Sequence, residues 1–336
     1  MFSFDMINGP AGFDPLVIML IALGVEAYLG EARFVFRFVK HPVVIIGGMI
    51  DLFDRKLNRE TRSDMDRAVR GFLTVIIISG VCGVVGFAVS WLGQNHPWGW
   101  IIECILTISL IAQRGLYNAV KKVGKALHHD SLESARDAVS HIVGRDPAQL
   151  DEHGVARAAI ESLAENFGDG VVAPVFWYVL FGFPGLLVYK AINTMDSMIG
   201  HKSPKYRAFG FSAARIDDIV NIIPARLSAI FLCLAALIAP KANALKGFKV
   251  MWRDAGKHRS PNAGWPEGAM AGALGLALAG PRRYVDMVVK DPWMGDGTAK
   301  LTYVHINRAL YLYFVACLIN AGWVGVLLVV RINLLP

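Results

Sequence analysis

The sequence predicts an all-α, polytopic integral membrane protein, and three observations carry that prediction. Of its 336 residues, 54% are hydrophobic and only 18% are charged, with a mean hydropathy of +0.44, whereas soluble domains carry about a quarter charged residues. Two windows, 72–92 (FLTVIIISGVCGVVGFAVSWL) and 309–330 (ALYLYFVACLINAGWVGVLLVV), run past 20 residues without one charge, enough to cross a bilayer as helices. The basic residues gather between apolar windows, as sorting of positive loops to one membrane side requires. Composition argues against a soluble globular enzyme and excludes collagen, low complexity and disorder, because 33 Gly and 15 Pro are ordinary for this length and the apolar fraction is far too high.

In chain order, the first apolar segment, 15–30, is interrupted by Glu26. The first fourteen residues hold two Asp and no Lys or Arg, the reverse of a signal peptide's basic start, so this segment is expected to remain. Loop 31–71 carries nine Lys/Arg and reads as cytoplasmic; the turn 93–99 after the 72–92 span carries none. Segment 98–113 holds Glu103 and leads into the basic loop 114–170. Segments 171–189, broken by Pro174 and Gly182-Phe183-Pro184-Gly185, and 219–239, broken by Pro224 and Arg226, are weaker spans. Loop 241–308 is basic again, and 309–330 closes the set before a tail with Arg331. The expectation is one membrane-embedded domain over 1–336 with roughly four to six transmembrane or re-entrant helical segments, both termini periplasmic, and large cytoplasmic helical loops at 31–71, 114–170 and 241–308. Lys190, Lys202, Lys205, Arg207 and Arg215 argue for segment 190–218 lying inside too. The Pro/Gly breaks agree, because irregular backbone at membrane depth is tolerated only inside protein or along a polar cavity.

The four cysteines, Cys82, Cys104, Cys233 and Cys317, all fall in apolar segments without CxxC or Cys/His pairing, so neither disulfides nor zinc is suggested. Aromatic residues lie in or beside apolar segments rather than among Lys and Arg, which argues against nucleic acid as partner.

Polar residues concentrate in three places. Asp130-Ser131 opens one helical run, Gly144-Arg145-Asp146-Pro147 breaks it, and Asp151 opens a second through Asn166. There Glu161 and Glu165 stand at i,i+4 and Asp169 follows four later, sharing one face if the helix persists. A solvated helix face explains an isolated pair of this kind. At the mouth of the apolar 171–189, however, such carboxylates can hold Mg²⁺ together with phosphates. Next come Lys190, Asn193 and Asp196 at helical spacing, then Arg215, Asp217 and Asp218, for which either internal ion pairing or a wet cavity is a sufficient reason. Finally His201-Lys202-Ser203-Pro204 is echoed by His258-Arg259-Ser260-Pro261. Ser-Pro is a helix-start signature, and a helix start flanked by a cation suits an anion; coincidence between two basic tetrapeptides is the plain alternative. The second copy runs into Asn262-Ala-Gly264-Trp265-Pro266-Glu267, where tight packing explains the glycines but not Glu267. No GxxxxGK[ST], HExxH, GxSxG or strand-to-helix GxGxxG occurs, which removes P-loop and related sites.

The stretches GRDPAQLDEHGVARAAIESLAENFGDGVVAP (144–174), YKAINTMDSMIGHKSPKYRAFGFSAARIDDIVNIIPARL (189–227) and HRSPNAGWPEGAMAGALG (258–275) closely resemble the adenosylcobinamide-phosphate synthase (CobD/CbiB) family. HPVVIIGGMI (41–50) and Leu57-Asn58 resemble that family's amino-terminal segment. The resemblance implies an inner-membrane enzyme of cobalamin biosynthesis, an acid-amine ligase. It would join (R)-1-aminopropan-2-ol phosphate to a propionate carboxylate of adenosylcobyric acid at the expense of ATP, through an acyl phosphate. On that reading Glu267, Asp196 and Lys190 are the catalytic candidates. His201, Lys202, Ser203, Lys205, Arg215, His258, Arg259, Ser260, Asn262 and Trp265 would hold phosphates and the corrinoid, and Glu161, Glu165, Asp169, Asp217 and Asp218 would hold Mg²⁺. ATP and Mg²⁺ are expected as co-substrate and metal, with no prosthetic group. The expected partners are the corrinoid, the amino-alcohol phosphate, the lipid bilayer and other cobalamin-assembly membrane proteins. The alternatives are a Mg-dependent prenyl-type transferase, whose paired acidic motifs only Asn193-x2-Asp196 and Asp217-Asp218 approach, and a non-catalytic corrinoid carrier or assembly subunit.

Overall fold

The computed structural model describes residues 12–30, 35–37, 39–144, 146–283 and 288–334. Asp5 of the acidic start and Arg145 of the expected helix break lie outside the described residues. In chain order the elements are α1 (Pro15–Leu29), α2 (Pro42–Leu57), α3 (Asp64–Asn95), α4 (Gly99–Leu110), α5 (Gln113–His129), α6 (Leu132–Ser140) and α7 (Glu152–Phe167). There follow α8 (Ala173–Ile199), α9 (Phe211–Val220), α10 (Ile222–Ala235), α11 (Ala244–Asp254), α12 (Gly264–Leu274), β1 (Leu278–Arg283), β2 (Val288–Met294) and α13 (Tyr303–Leu334). The fold is helical, and among the described residues four stretches are long and apolar enough to cross a membrane: Asp64–Asn95, Gly99–His129, Glu152–Ile199 and Tyr303–Asn333. The pair α9–α10, bent by 46°, makes a fifth if counted as one broken span.

Several helix ends follow directly from the sequence. Ser131 Oγ accepts the Ser134 N–H at 3.2 Å to open α6, and Asp151 Oδ1 accepts that of Gly154 at 2.7 Å to open α7, each satisfying a donor with no partner inside the helix. These are the two helices that the Asp130-Ser131 and Asp151 signals predict. Pro42 stands at the first turn of α2, where its missing N–H is harmless, and His41 Nδ1 accepts the Val43 N–H at 3.2 Å.

Contacts divide the chain into two compact units where the sequence marks no boundary: the described parts of 1–112, 173–221 and 324–336, and those of 113–172 and 222–323. In the first, α3 packs on α2, α4, α8 and α9 with its small and polar residues inward (Gly71, Thr74, Gly86, Ser90, Gly93), while Phe72, Ile76, Val84, Phe87 and Trp91 face out. A soluble helix shows the opposite pattern. Lipid tails accept the large apolar side chains, so association rests on close backbone approach at small residues. A side chain on Gly86 would strike Pro184, and one on Gly71 would strike the Phe209 carbonyl. Within α8 the break falls at Gly182, whose φ of 66° is open to glycine and costly for other residues.

In the second unit α7 is buried along most of its length, through Val155, Ala159, Ile160, Leu163 and Phe167, and packs on α5, α6 and α12. α12 is almost wholly buried. Its Gly268 and Gly272 lie against the α11 backbone, which is the tight packing that explains the glycines of 264–275. Asp254, fully buried at the end of α11, accepts from Arg253 at 2.7 and 2.6 Å and from the Gly295 N–H at 2.8 Å, with Lys257 Nζ at 2.6 Å. Arg253 also reaches Asp296 at 2.6 Å. Burial alone would raise the Asp254 carboxyl, but these donors outweigh it and hold it well below the usual carboxylate range.

The all-α class holds, with one small antiparallel pair, β1 and β2, bulged between Ala279 and Pro281. Three other expectations change. The helix carrying Glu161 and Glu165 does not persist to Asp169: α7 passes into a π-helical turn at Gly168–Val172, which alters the four-residue stacking. Ser203-Pro204 opens a run of turns rather than a helix, and α9 starts only at Phe211. The break near 219–239 falls at Asn221, between α9 and α10, rather than at Pro224.

Asp254→Ala removes the acceptor that ties α11 to the 295–296 loop and is expected to lower stability by roughly 2–4 kcal/mol, the range for losing a buried charged partner, read as a fall in melting temperature in detergent. Because the folded carboxyl is held low, its contribution is complete above its unfolded pKa of about 3.9 and fades as pH falls below that value. The wild type should therefore lose more melting temperature between pH 5 and 3 than the variant, these being roughly the limits that bracket an Asp pKa.

Candidate functional site

In the first unit the chain between α8 and α9 is held down by a buried ionic cluster. Asp54 in the last turn of α2 and Asn58, its C-cap, share a hydrogen bond of 2.8 Å. Arg67 at the start of α3 donates to Asn58 Oδ1 at 2.8 Å and to the Lys205 carbonyl. Lys205 Nζ meets Asp54 Oδ2 at 2.8 Å and Tyr206 Oη at 2.8 Å. The hydrogen bonds to Asp54 and Tyr206 hold the Lys205 ammonium above its ordinary range. Lys205, a phosphate candidate in the sequence, thus anchors its own loop. Gly200 and Gly210 complete the anchoring, since a side chain on either would strike Asp196 or the Ile199 carbonyl. His201, Lys202 and Ser203 stand exposed on this loop.

Above the loop, α8 carries Tyr189, Lys190, Asn193 and Asp196 toward α9, the helix with which it packs. Asp217 is buried and accepts from Asn221 Nδ2 at 3.0 Å and, at 3.4 Å, from Asn193 Nδ2. Tyr189 Oη donates to Asn221 Oδ1 at 3.0 Å. Asp217 is therefore the centre of a polar network whose acceptors are met by amides. Asp218 is half-buried, 3.5 Å from Arg215, the ion pairing expected for these residues. Lys190 lines an open cavity of about 490 Å³ with His41 and Ser109.

In the second unit the segment 258–267 closes into a compact site. Ser260 Oγ accepts the N–H groups of Asn262 and Ala263, each at 3.2 Å, so this copy of the Ser-Pro motif does cap the turn that leads into α12. His258 Nδ1 accepts the Ser260 N–H at 3.0 Å, which puts the ring hydrogen on Nε2, the atom 3.7 Å from Glu267 Oε1. Glu267 is buried, 2% exposed. Arg226 of α10 donates to Asn262 Oδ1 at 3.1 Å and lies 4.4 Å from the centre of the Trp265 ring, a cation–π stack. Trp252 meets Trp265 edge-on at 5.6 Å. Arg259 pairs with Asp291 at 2.8 Å and points its charge at that acid. The result is a carboxylate, an imidazole and a guanidinium beside an aromatic face.

Of the carboxylates assigned to metal, Glu161 is buried and accepts the Ala279 N–H at 2.7 Å, tying α7 to β1. Glu165 is exposed and Asp169 half-buried on the π turn. Among the described residues no three His, Cys, Asp or Glu side chains gather closely enough to hold a metal ion by themselves. The metal set therefore divides between the two units, Glu161, Glu165 and Asp169 in one and Asp217 and Asp218 in the other, as do the catalytic candidates, Glu267 in the second and Asp196 and Lys190 in the first.

Sequence reasoning gave no role to Asp54, Asn58 or Arg67, although the D-x3-N spacing at the end of α2 and the Arg after it were a usable signal. Arg226, read in the sequence as a break in the 219–239 segment, donates to the Ile222 carbonyl and to Asn262 and stacks on Trp265. Nothing local in the sequence marks Ser109.

The sequence model of the family described as "CobD/Cbib protein" matches residues 19–313. The chain is 47% identical over 312 residues to a cobalamin biosynthesis protein CobD of Sinorhizobium sp, covering 92% of this chain and 97% of that one. It is 46% identical over 297 residues to its counterpart of Rhodobacter capsulatus, covering 88% and 92%, and 41% identical over 312 residues to that of Brucella suis, covering 92% and 95%. No solved structure matches.

Arg67→Ala takes away the hydrogen bond to the Lys205 carbonyl and the one that orients Asn58 beneath the loop. Trypsin is expected to cut after Lys202, Lys205 or Arg207 at least about tenfold faster than in the wild type, since loss of a buried charged donor is worth about 1.5–3 kcal/mol. An unchanged cleavage rate would mean that the glycine contacts alone hold the loop.

Proposed function

From the premise that the chain belongs to the CobD/CbiB family and serves cobalamin biosynthesis, we propose that it is an ATP-dependent acid-amine ligase, the adenosylcobinamide-phosphate synthase. It joins the amine of (R)-1-aminopropan-2-ol phosphate to a propionate carboxylate of adenosylcobyric acid. The observation that carries this reading is the buried Glu267 facing His258 Nε2 at 3.7 Å, beside an Arg226-stacked Trp265. A proton acceptor and a cation stand there next to a flat aromatic face.

The chemistry sets three demands. A carboxylate is a poor electrophile, so an oxygen of the propionate attacks the γ-phosphorus of ATP, ADP leaves, and an acyl phosphate results. The amine nitrogen then attacks the acyl carbon, the carbon–oxygen bond to phosphate breaks, and inorganic phosphate departs. The amine must first shed the proton it carries as an ammonium, and Glu267 takes it. His258 with its Nε2 hydrogen stabilises the carboxylate before transfer. Asp196 is the second candidate for a proton acceptor, on the other unit. Cations suit the phosphates: within the first unit Lys202 stands exposed, and within the second Arg226 lies beside Trp265. Lys205 and Glu161 take structural parts, bound as they are to Asp54 and Ala279.

Mg²⁺ travels with the nucleotide, keeps waters and phosphates as most of its ligands, and asks the protein for one or two carboxylates. The donors fit that modest demand. Asp169, Asp196 and Asp218 are half-buried, and no dedicated cage is needed. We place the protein in the inner membrane with its basic loops toward the cytoplasm, by the positive-inside rule. The Arg331–Asp14 ion pair, 3.0 Å long, supports termini on a common side, since Asp14 caps α1 and Arg331 lies near the end of α13.

The test is a three-component assay on protein purified in detergent, following product mass and ADP together. Amide and ADP should form in equal amounts only when corrinoid, amine and Mg·ATP are all present; ADP without amide would refute the ligase. Hydroxylamine in place of the amine should yield the corrinoid hydroxamate if an acyl phosphate forms. Glu267→Gln is expected to lower kcat by about 100-fold or more, the usual worth of a positioned base, with the KM of the amine little changed. Full turnover in that variant would transfer the role to Asp196, to be checked with Asp196→Asn.

A further inference from the structure

We infer that α11 is an in-plane membrane anchor: the helix rests on the bilayer surface, sinks one stripe of side chains among the lipid chains and sets the next stripe against anionic headgroups. It stands in the basic segment 241–308, expected from hydropathy to lie wholly outside the bilayer, and it is too short to be a span. Its eleven residues reach roughly 16 Å at about 1.5 Å each, against a hydrocarbon layer of about 30 Å.

The helix has three faces. Ala244, Gly247, Val250, Met251 and Asp254 are buried, on the side that packs against α10 and α12; a side chain on Gly247 would meet Cys233 of α10 and Ala269 of α12. Leu245, Phe248 and Trp252 stand three and four residues apart and so share a stripe. All three are exposed, Leu245 by 81% and Trp252 by 76%. Lys246, Lys249 and Arg253 repeat the spacing one position further on and are exposed as well, which puts the basic stripe about 100° round the axis from the apolar one. A soluble helix keeps its outer face polar. Large apolar side chains along that outer face, bordered by lysines, are the pattern of a helix lying in a bilayer interface.

The neighbouring chain favours lipid over a protein as the occupant. α10 turns Ile223, Ile230 and Leu234 outward, and Leu237 and Ile238 in the turn after it are exposed too, a lipid-facing surface on an apolar helix. Pro240 and Lys241 follow, and the next exposed apolar side chain is Leu245. The chain thus leaves the hydrocarbon near Lys241 and lies down. From Ala239 to Arg253 the sequence holds four Lys/Arg and no Asp or Glu, a charge that anionic lipid complements. Arg253 is held by Asp254 and Asp296, so Lys241, Lys246 and Lys249 carry the attraction. Protein interfaces are depleted of lysine, whereas Trp beside lysine is usual at headgroup level. Trp252 also meets Trp265 edge-on at 5.6 Å, which sets the surroundings of Glu267 at the bilayer surface.

Spin labels on the full-length protein in nanodiscs of mixed phosphatidylcholine and phosphatidylglycerol test this. The four native cysteines are buried, so the unsubstituted protein gives the background, and Leu245→Cys, Phe248→Cys and Lys246→Cys each carry one label. Two reporters on the apolar stripe guard against one that fails to fold. Labels at 245 and 248 should collide severalfold more with oxygen, which dissolves in lipid, than with a water-soluble nickel chelate, and the label at 246 should do the reverse. Chelate access at 245 and 248 equal to that at 246 would place the helix in water and overturn the anchor. Shielding of 245 and 248 from both reagents would overturn it too, since a protein partner or a second copy would then cover the stripe. Local lipid choice is read from broadening of the 245 signal by spin-labelled phosphatidylglycerol against spin-labelled phosphatidylcholine. The anionic lipid should be enriched there, and Lys246→Gln with Lys249→Gln should reduce that enrichment by about fivefold or more, the worth of a cation near an anionic surface. An unchanged enrichment in the double variant would overturn the headgroup contact.

Discussion

Much of this structure depends on close backbone approach at positions where no side chain fits. Gly71 lies against the Phe209 carbonyl, Gly86 against Pro184 and Gly210 against the Ile199 carbonyl; in the second unit Gly272 lies against Lys246 and Gly264 against Ala255. In a bilayer, large apolar side chains gain little by leaving lipid for protein, so helices associate through dispersion contacts over short distances and through hydrogen bonds. The glycines make those distances available. They fix α3 on α8 in one unit and α11 on α12 in the other, and these pairs carry the polar residues of the candidate site.

Ionic groups follow from the same constraint. A charge removed from water is stable only when paired and hydrogen-bonded, and both units contain such a knot. Asp54, Asn58, Arg67 and Lys205 form one, and Asp254 with Arg253, Lys257 and Gly295 forms the other. Each knot sits next to candidate chemistry: the first fixes the loop bearing His201 and Lys202, the second precedes His258. They act as supports, holding functional segments that turn geometry alone would leave loose. Glu161 does the same for β1 through the Ala279 N–H.

Against this background, the groups suited to chemistry are distinguished by the company they keep. Glu267 faces an imidazole rather than a cation fork, and Trp265 presents a ring stacked on Arg226. A charge already surrounded by three donors, as Asp254 is, has no capacity left to take up a proton near neutral pH.

Hydropathy by itself determined the membrane class, the 72–92 and 309–330 spans and the helices opened by Ser131 and Asp151, because apolar length, helical period and capping are local properties of a chain. The long motifs at 144–174, 189–227 and 258–275 likewise carried the family and supplied the candidate site residues. Only the tertiary structure decided which cations are available to a substrate. Lys202 and Lys205 look equivalent in sequence, yet Lys205 finds Asp54 from a helix about 150 positions earlier, a pairing that no local pattern encodes. The same holds for Arg226, which reaches Asn262 and Trp265. The π turn after Phe167 altered the expected carboxylate face for a related reason: helical period extrapolates only while the backbone stays α, and packing decides where it stops.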